Sequence, residues 1–236
     1  MANRTLDEII AEMKRISQLE YEELNAEFKT RFEICSKLGS YGWVPHGSLI
    51  PSDFPQWLHR IESRGEEDIA TDFSENAVND MIDRIMNVCH MLPERMYADK
   101  GFDHYFAGHY TEAALFLLPL LDYRYSKTTK FGRDKWQRLK NGLPEVKQQL
   151  FDTLKPRPMT RIIVEIDDIP AFTAFAARLF TEDEKYKFGT GTEPPYLNRD
   201  WLMHGRMTRR VKRYEIIQLI NGLNTWLDIE EELDRG

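Results

Sequence analysis

The stretch AALFLLPLL, residues 113–121, decides how this chain is to be read. It is the longest apolar run among 236 residues, nine residues long with a proline inside it. A membrane span needs roughly 20 consecutive apolar residues, so the run predicts one helix buried in a protein core. A chain of this length can bury a full core without metal or disulfide staples.

The flanking sequence extends the helical pattern. Spacings of three and four residues predict further helices at 109–124, 133–154, 169–181, 198–204 and 214–232. Upstream, residues 72–97 place Phe73, Val78, Met81, Ile82, Ile85, Met86 and Val88 on a helical stripe, which Pro93 is expected to kink or end. Near the N-terminus, Leu6, Ile9, Ile10, Met13, Ile16, Leu19 and Leu24 form another stripe. Thr5 and Glu8 make a capping box for it, and Gly39 stands where it can end.

Two segments resist this pattern. Residues 40–57, SYGWVPHGSLIPSDFPQW, are dense in Gly, Pro and aromatics and read as a loop anchored by Trp43, Phe54 and Trp57. RIIVEID, residues 161–167, is β-branched and reads as a short strand or an extended connection. One strand makes no sheet, so the predicted fold class is mainly α. One compact helical domain is the simplest account, with residues 1–100 as an N-terminal helical region able to form a subdomain.

Composition narrows the function. The net charge of −7 speaks against non-specific coating of nucleic acid, which requires neutralising many phosphates. Against that acidic background, RMTRRVKRY at 206–214 gathers Arg206, Arg209, Arg210, Lys212 and Arg213 with no acid among them. Cys35 and Cys89 lie far apart and outside any C-x-x-C pair, so they read as buried thiols of a reducing compartment. The first residues are charged and lack the apolar core of a signal peptide. Localisation in the cytoplasm, with no membrane partner, is the expectation.

Familiar site patterns are missing: no phosphate loop, no dinucleotide fingerprint, no G-x-S-x-G elbow and no H-E-x-x-H. KFGTGTEPPY, residues 187–196, reads as a turn-rich approach to the next helix. His104 and His109, with Asp103 and Glu112 nearby, lack the further motif that a metal site needs and read as surface or helix-terminal histidines.

NRDWLMHG, residues 198–205, remains. Pro194 and Pro195 block helix upstream, Asn198 is a good N-cap, and Trp201, Leu202 and Met203 supply an apolar body. Arg199 falls in the first turn and His204 at the end. Five residues on a regular helix amount to about 140° of rotation, so the two side chains do not share a face. They converge only if Arg199 reaches around the turn, the helix is irregular or a second chain contributes.

This segment resembles the R-x4-6-H motif of the HEPN superfamily, and more closely an N-R-x-x-h-x-H-G segment (h apolar) of HEPN-like proteins of prokaryotic defence and toxin systems. TEAALFLLPLLDYRYSK resembles the apolar helix preceding the motif, with Asp122 at the place of an acidic residue that is often glutamate. EIIQLINGLNTWLDI resembles the closing helix. The likeness covers mainly residues 108–232, and it implies a HEPN-like helical domain over 101–236 with additional N-terminal helices.

The resemblance implies a metal-independent endoribonuclease without cofactor, working as a homodimer whose two motifs face one cleft. The RNA 2′-hydroxyl would attack the adjacent phosphate. His204 would act as general acid or base, since an imidazole titrates at about pH 6.5. Arg199 would stabilise phosphate charge. Asn198 or Asp200 would hold these groups in place, with Asp122 the further acidic candidate. The loop cations Arg206, Arg209, Arg210, Lys212 and Arg213 would guide RNA. A toxin or antiphage-defence role, with a cognate antitoxin or other partner protein, follows from the same likeness. The alternatives are a non-catalytic helical module that dimerises or docks on a partner, and an RNA-binding protein without cleavage.

Overall fold

A computed structural model describes residues 26–27, 29–45, 53–129, 167–180, 184–186 and 191–234. Among these, every regular element is helical. The N-terminal capping box, the helix expected at 133–154 and the β-branched stretch up to residue 166 lie outside the described residues. In chain order the helices are α1 (residues 29–40), α2 (Phe54–Arg64), α3 (Glu75–Val88), α4 (Glu94–Phe106), α5 (Tyr110–Thr129), α6 (Ile169–Phe180), α7 (Arg199–Met203) and α8 (Arg213–Asp234). A 3-10 segment, Glu66–Asp72, joins α2 to α3.

The apolar run 113–121 lies within α5, which continues through Pro119. Leu117, Leu118, Leu120 and Leu121 are fully buried. At about 1.5–3 kcal/mol for each buried leucine, this short stretch is a large share of the core's driving force.

The bundle is organised around α8, which packs against α3, α5 and α6 and is buried continuously from Tyr214 to Leu227. A helix buried all round normally reads as uniformly apolar, whereas this one carries Gln218, Asn221, Asn224 and Thr225. Each of these residues makes at least one hydrogen bond, although the Asn221 amide nitrogen is buried without a partner among the described residues. Gln218 donates to the Tyr41 carbonyl at 3.0 Å, and Asn221 accepts the Val44 N–H at 3.1 Å, so the helix satisfies the irregular backbone that follows α1. Asn224 accepts from Arg84 at 3.2 Å, and Thr225 donates to the Asn221 carbonyl. Gly222 allows close approach to α6: a Cβ there would sit 2.2 Å from the Phe175 ring.

Two sequence expectations change. The loop expected over 40–57 contains the first turn of a helix, because Pro55 sits at the start of α2, where its missing N–H costs nothing. Its aromatics are anchored as expected: Trp43, Phe54 and Trp57 are buried, and Trp43 stacks on Phe73 at 5.1 Å. The stripe at 72–97 is two helices. Ser74 caps α3 by accepting the Ala77 N–H, α3 ends at Val88, and Pro93 is the N-cap of α4. Lys100 therefore lies inside α4, and one hydrophobic cluster runs from Cys35 to Ile229, drawing on both sides of that position. Both cysteines are free and buried.

Candidate functional site

The short helix α7 sits against α5 and α6. Asn198 starts it in extended conformation, and its side-chain oxygen accepts the N–H groups of Asp200 and Trp201 at 3.0 and 3.3 Å. Its amide reaches the Arg178 carbonyl at 3.4 Å, tying the cap to α6. Buried Trp201 and Leu202 hold the helix down, and the Trp201 indole donates to the Tyr186 carbonyl at 2.8 Å.

The helix ends as firmly as it begins. Gly205 N–H bonds the Leu202 carbonyl and Arg206 N–H the Trp201 carbonyl, with Gly205 at φ +67°. This is the paired bonding of a Schellman cap, whose left-handed residue glycine adopts without a Cβ penalty. His204 is the C-cap residue and is exposed.

Arg199 stands at the opposite end. Its guanidinium meets Asp200 at 3.0 Å and, across the interface with α5, Asp122 at 3.4 Å. The Arg199 side chain keeps 32% of its exposure and Asp122 43%, so the cation is oriented but remains accessible to solvent. The structure thus brings together Asn198, Arg199, Asp200 and Asp122. His204 lies one helix length away on the same rigid element, at the angular offset that five helical residues impose.

The basic loop divides in two. Arg206 and Arg210 are exposed. Arg209 turns inward and makes a two-pronged pair with Glu215 at 2.7 and 2.6 Å. Burial opposes the Arg209 charge, but the hydrogen bonds and field of Glu215 outweigh it and the guanidinium pKa is raised. Lys212 extends to Glu67 at 3.6 Å, and Arg213 reaches the Tyr105 hydroxyl at 3.4 Å. Of the five cations expected to meet RNA, Arg209 is therefore committed to a pair with the protein's own buried Glu215.

Two acids that fix this loop escape the sequence reading. Glu193 accepts the N–H groups of Thr208 and Arg209 at 3.0 and 3.1 Å and also bonds the Thr208 hydroxyl. Burial acts to raise the Glu193 pKa, yet these donors win and hold it below the usual carboxyl value. Glu215 accepts the Lys212 N–H at 2.8 Å, three residues ahead of it at the start of α8. That is half of a capping box, and a glutamate three residues past the cap position is a signal visible in sequence.

Elsewhere, His104 lies over Phe116 at 5.6 Å, nearly parallel, with His109 5.9 Å away. Among the described residues no group of three potential ligands could hold a metal ion, and no helix is long and apolar enough to cross a membrane. Compared with protein-family models, with curated proteins and with solved structures, the chain finds no match in any of the three.

Proposed function

We propose that this protein is a metal-independent endoribonuclease of HEPN type, with Arg199 and His204 as its catalytic residues. The observation that carries this reading is the construction of α7. A five-residue helix capped at both ends presents a carboxylate-oriented guanidinium at its start and an exposed imidazole at its end. Both side chains keep solvent access, which a ligand-binding role requires.

The chemistry follows from those two groups. A base removes the proton of an RNA 2′-hydroxyl, the oxygen attacks the neighbouring phosphorus, and the 5′-oxygen leaves with a proton from an acid. The products are a 2′,3′-cyclic phosphate and a 5′-hydroxyl. An imidazole supplies the proton transfer, and a guanidinium matches the phosphate oxygens in geometry and charge. Asp122 and Asp200 hold the Arg199 fork, and Asn198 fixes the first turn that carries it. Exposed Arg206 and Arg210 attract the RNA backbone. Because the arginine and histidine occupy opposite ends of one helix, a second copy facing the first completes the cleft, and the working form is a homodimer. A role in toxin or antiphage-defence systems, with a protein partner restraining the activity, fits such a nuclease.

Incubating the purified protein with end-labelled RNA in excess chelator tests the proposal. Cleavage giving cyclic phosphate ends, lost in His204→Ala, is expected; no cleavage by wild type, or equal cleavage by the variant, overturns it. One observation favours a second reading. The Arg199 guanidinium is already engaged by two carboxylates, as in a structural ion pair of a non-catalytic module. In that case Arg199→Ala lowers the melting temperature and no RNA is cut.

A further inference from the structure

The outer side of α3 and α4 carries a groove of about 400 Å³ with a regular construction. Ile82 and Met86 from α3, and Phe102 and Phe106 from α4, line it as apolar pairs four residues apart, with Ile82 and Phe102 buried and Phe106 exposed. One step round each helix, Asn79 with Asp83 and Asp99 with Asp103 form polar pairs four residues apart along its two rims. Positions four apart stack on one face of a helix, so each helix sets an apolar pair beside a polar pair that includes one aspartate without a cation partner among the described residues, Asp83 on α3 and Asp103 on α4. The groove joins a second hollow of about 310 Å³ that shares Asn79 and Phe106 with it.

Two features set this apart from an ordinary solvated surface. Phe106 is 63% exposed at the junction of the two hollows, a large aromatic ring left in water. Arg95 pairs with Asp99 at 2.9 Å, whereas no described cation pairs with Asp83 or Asp103. Exposed aromatic surface rimmed by polar residues marks an interaction site, and two unneutralised carboxylates on facing rims select a cation.

We propose that this groove docks a basic amphipathic segment of a partner protein. Its apolar residues would lie along Phe102 and Phe106, and its lysine or arginine heads would reach Asp83 and Asp103. The long aliphatic stems of those residues can cover the aromatic floor while their charges reach the rims. The charge complementarity is specific: an acidic or purely apolar helix would leave both rims unpaired. The site is built from residues outside α7 and does not depend on the proposed nuclease activity.

Fluorescence polarisation with a fluorescein-labelled leucine–lysine peptide of helical spacing tests this on the full chain. The wild type should bind it, and Phe106→Ala should weaken binding about tenfold, as expected of an aromatic anchor. The double substitution Asp83→Asn with Asp103→Asn should weaken it by a similar factor. Glu27→Gln, an exposed carboxylate on another helix, should change nothing. All substituted positions are exposed, and circular dichroism confirms that the variants fold. Equal binding by every variant overturns the proposal. So does a loss confined to the aspartate variant, which would indicate charge attraction without a docked apolar face. Displacement by spermidine with no effect of Phe106→Ala assigns the groove to small polyamines and also overturns it.

Discussion

Arg199 and Arg209 stand on either side of Gly205, and both meet carboxylates, yet their surroundings assign them different work. Glu215, which holds Arg209 in two bonds, is completely buried, whereas Asp122 beside Arg199 keeps 43% of its side-chain exposure. The Arg209 side chain keeps 24% of its exposure, so the costly half of this two-pronged pair is the acid: removing Arg209 would leave a fully buried carboxylate without its cation. An exposed pair contributes little stability, and its cation can exchange a carboxylate for a phosphate at small cost. The number of arginines in the basic loop therefore says less about RNA binding than the accessibility of the acids around them.

The largest effect expected from that contrast is functional. His204→Ala should slow RNA cleavage by about 10²- to 10⁴-fold, the range for removing a general acid or base. Its exposed position predicts an unchanged melting temperature, so calorimetry alongside the cleavage assay separates lost chemistry from lost folding.

The buried pair should respond in the opposite sense. Arg209→Ala strands the fully buried Glu215 carboxylate, and it should cost about 3–5 kcal/mol in urea unfolding. Asp122→Asn should cost under about 1 kcal/mol in the same measurement. Equal costs at the two sites would erase the distinction between them.

Smaller effects refine it. Neutralising Arg206 and Arg210 together should flatten the salt dependence of RNA binding, by about 0.7 in log–log slope for each single-strand phosphate left without a cation, with unfolding unchanged. The smallest effect is pH-dependent. Glu193 has a folded pKa below its ordinary value of 4.5, so its contribution to stability is present above that pH and is lost as pH falls through the lower folded value. Glu193→Gln should therefore show a shallower loss of melting temperature on acidification below about pH 4.5 than wild type.

Much of the fold was legible in the sequence because helical spacing was strong where burial was one-sided or complete. The apolar run 113–121, the segment 169–181 and the closing helix were all recognisable, and Asn198 proved to be the N-cap it resembled. The misses have physical causes. Pro55 reads as a breaker in a Pro-rich stretch, yet at the first turn of α2 it is tolerated. Pro93 does not end the first stripe, which stops at Val88, but begins a second helix, and spacing alone does not show that break.

At the candidate site, spacing placed Asn198, Arg199 and His204 on one short helix but did not show the ion pairs of the loop. Five cations without an intervening acid suggested one basic patch. Glu215 follows the run directly in sequence and Glu193 lies before the helix, so the pairing of Arg209 and the anchoring of the loop depend on the fold rather than on local spacing. Arg199 and His204 do stand at the two ends of one short helix, as their spacing implied, which leaves their cooperation as the claim to be measured.

A double-mutant cycle on RNA cleavage in the presence of chelator measures it most directly. If Arg199 and His204 act as one unit, Arg199→Ala and His204→Ala each slow cleavage severely, and the double variant is scarcely slower than the worse single one. Losses that multiply in the double variant, or single variants that cleave like wild type, would contradict a shared active site.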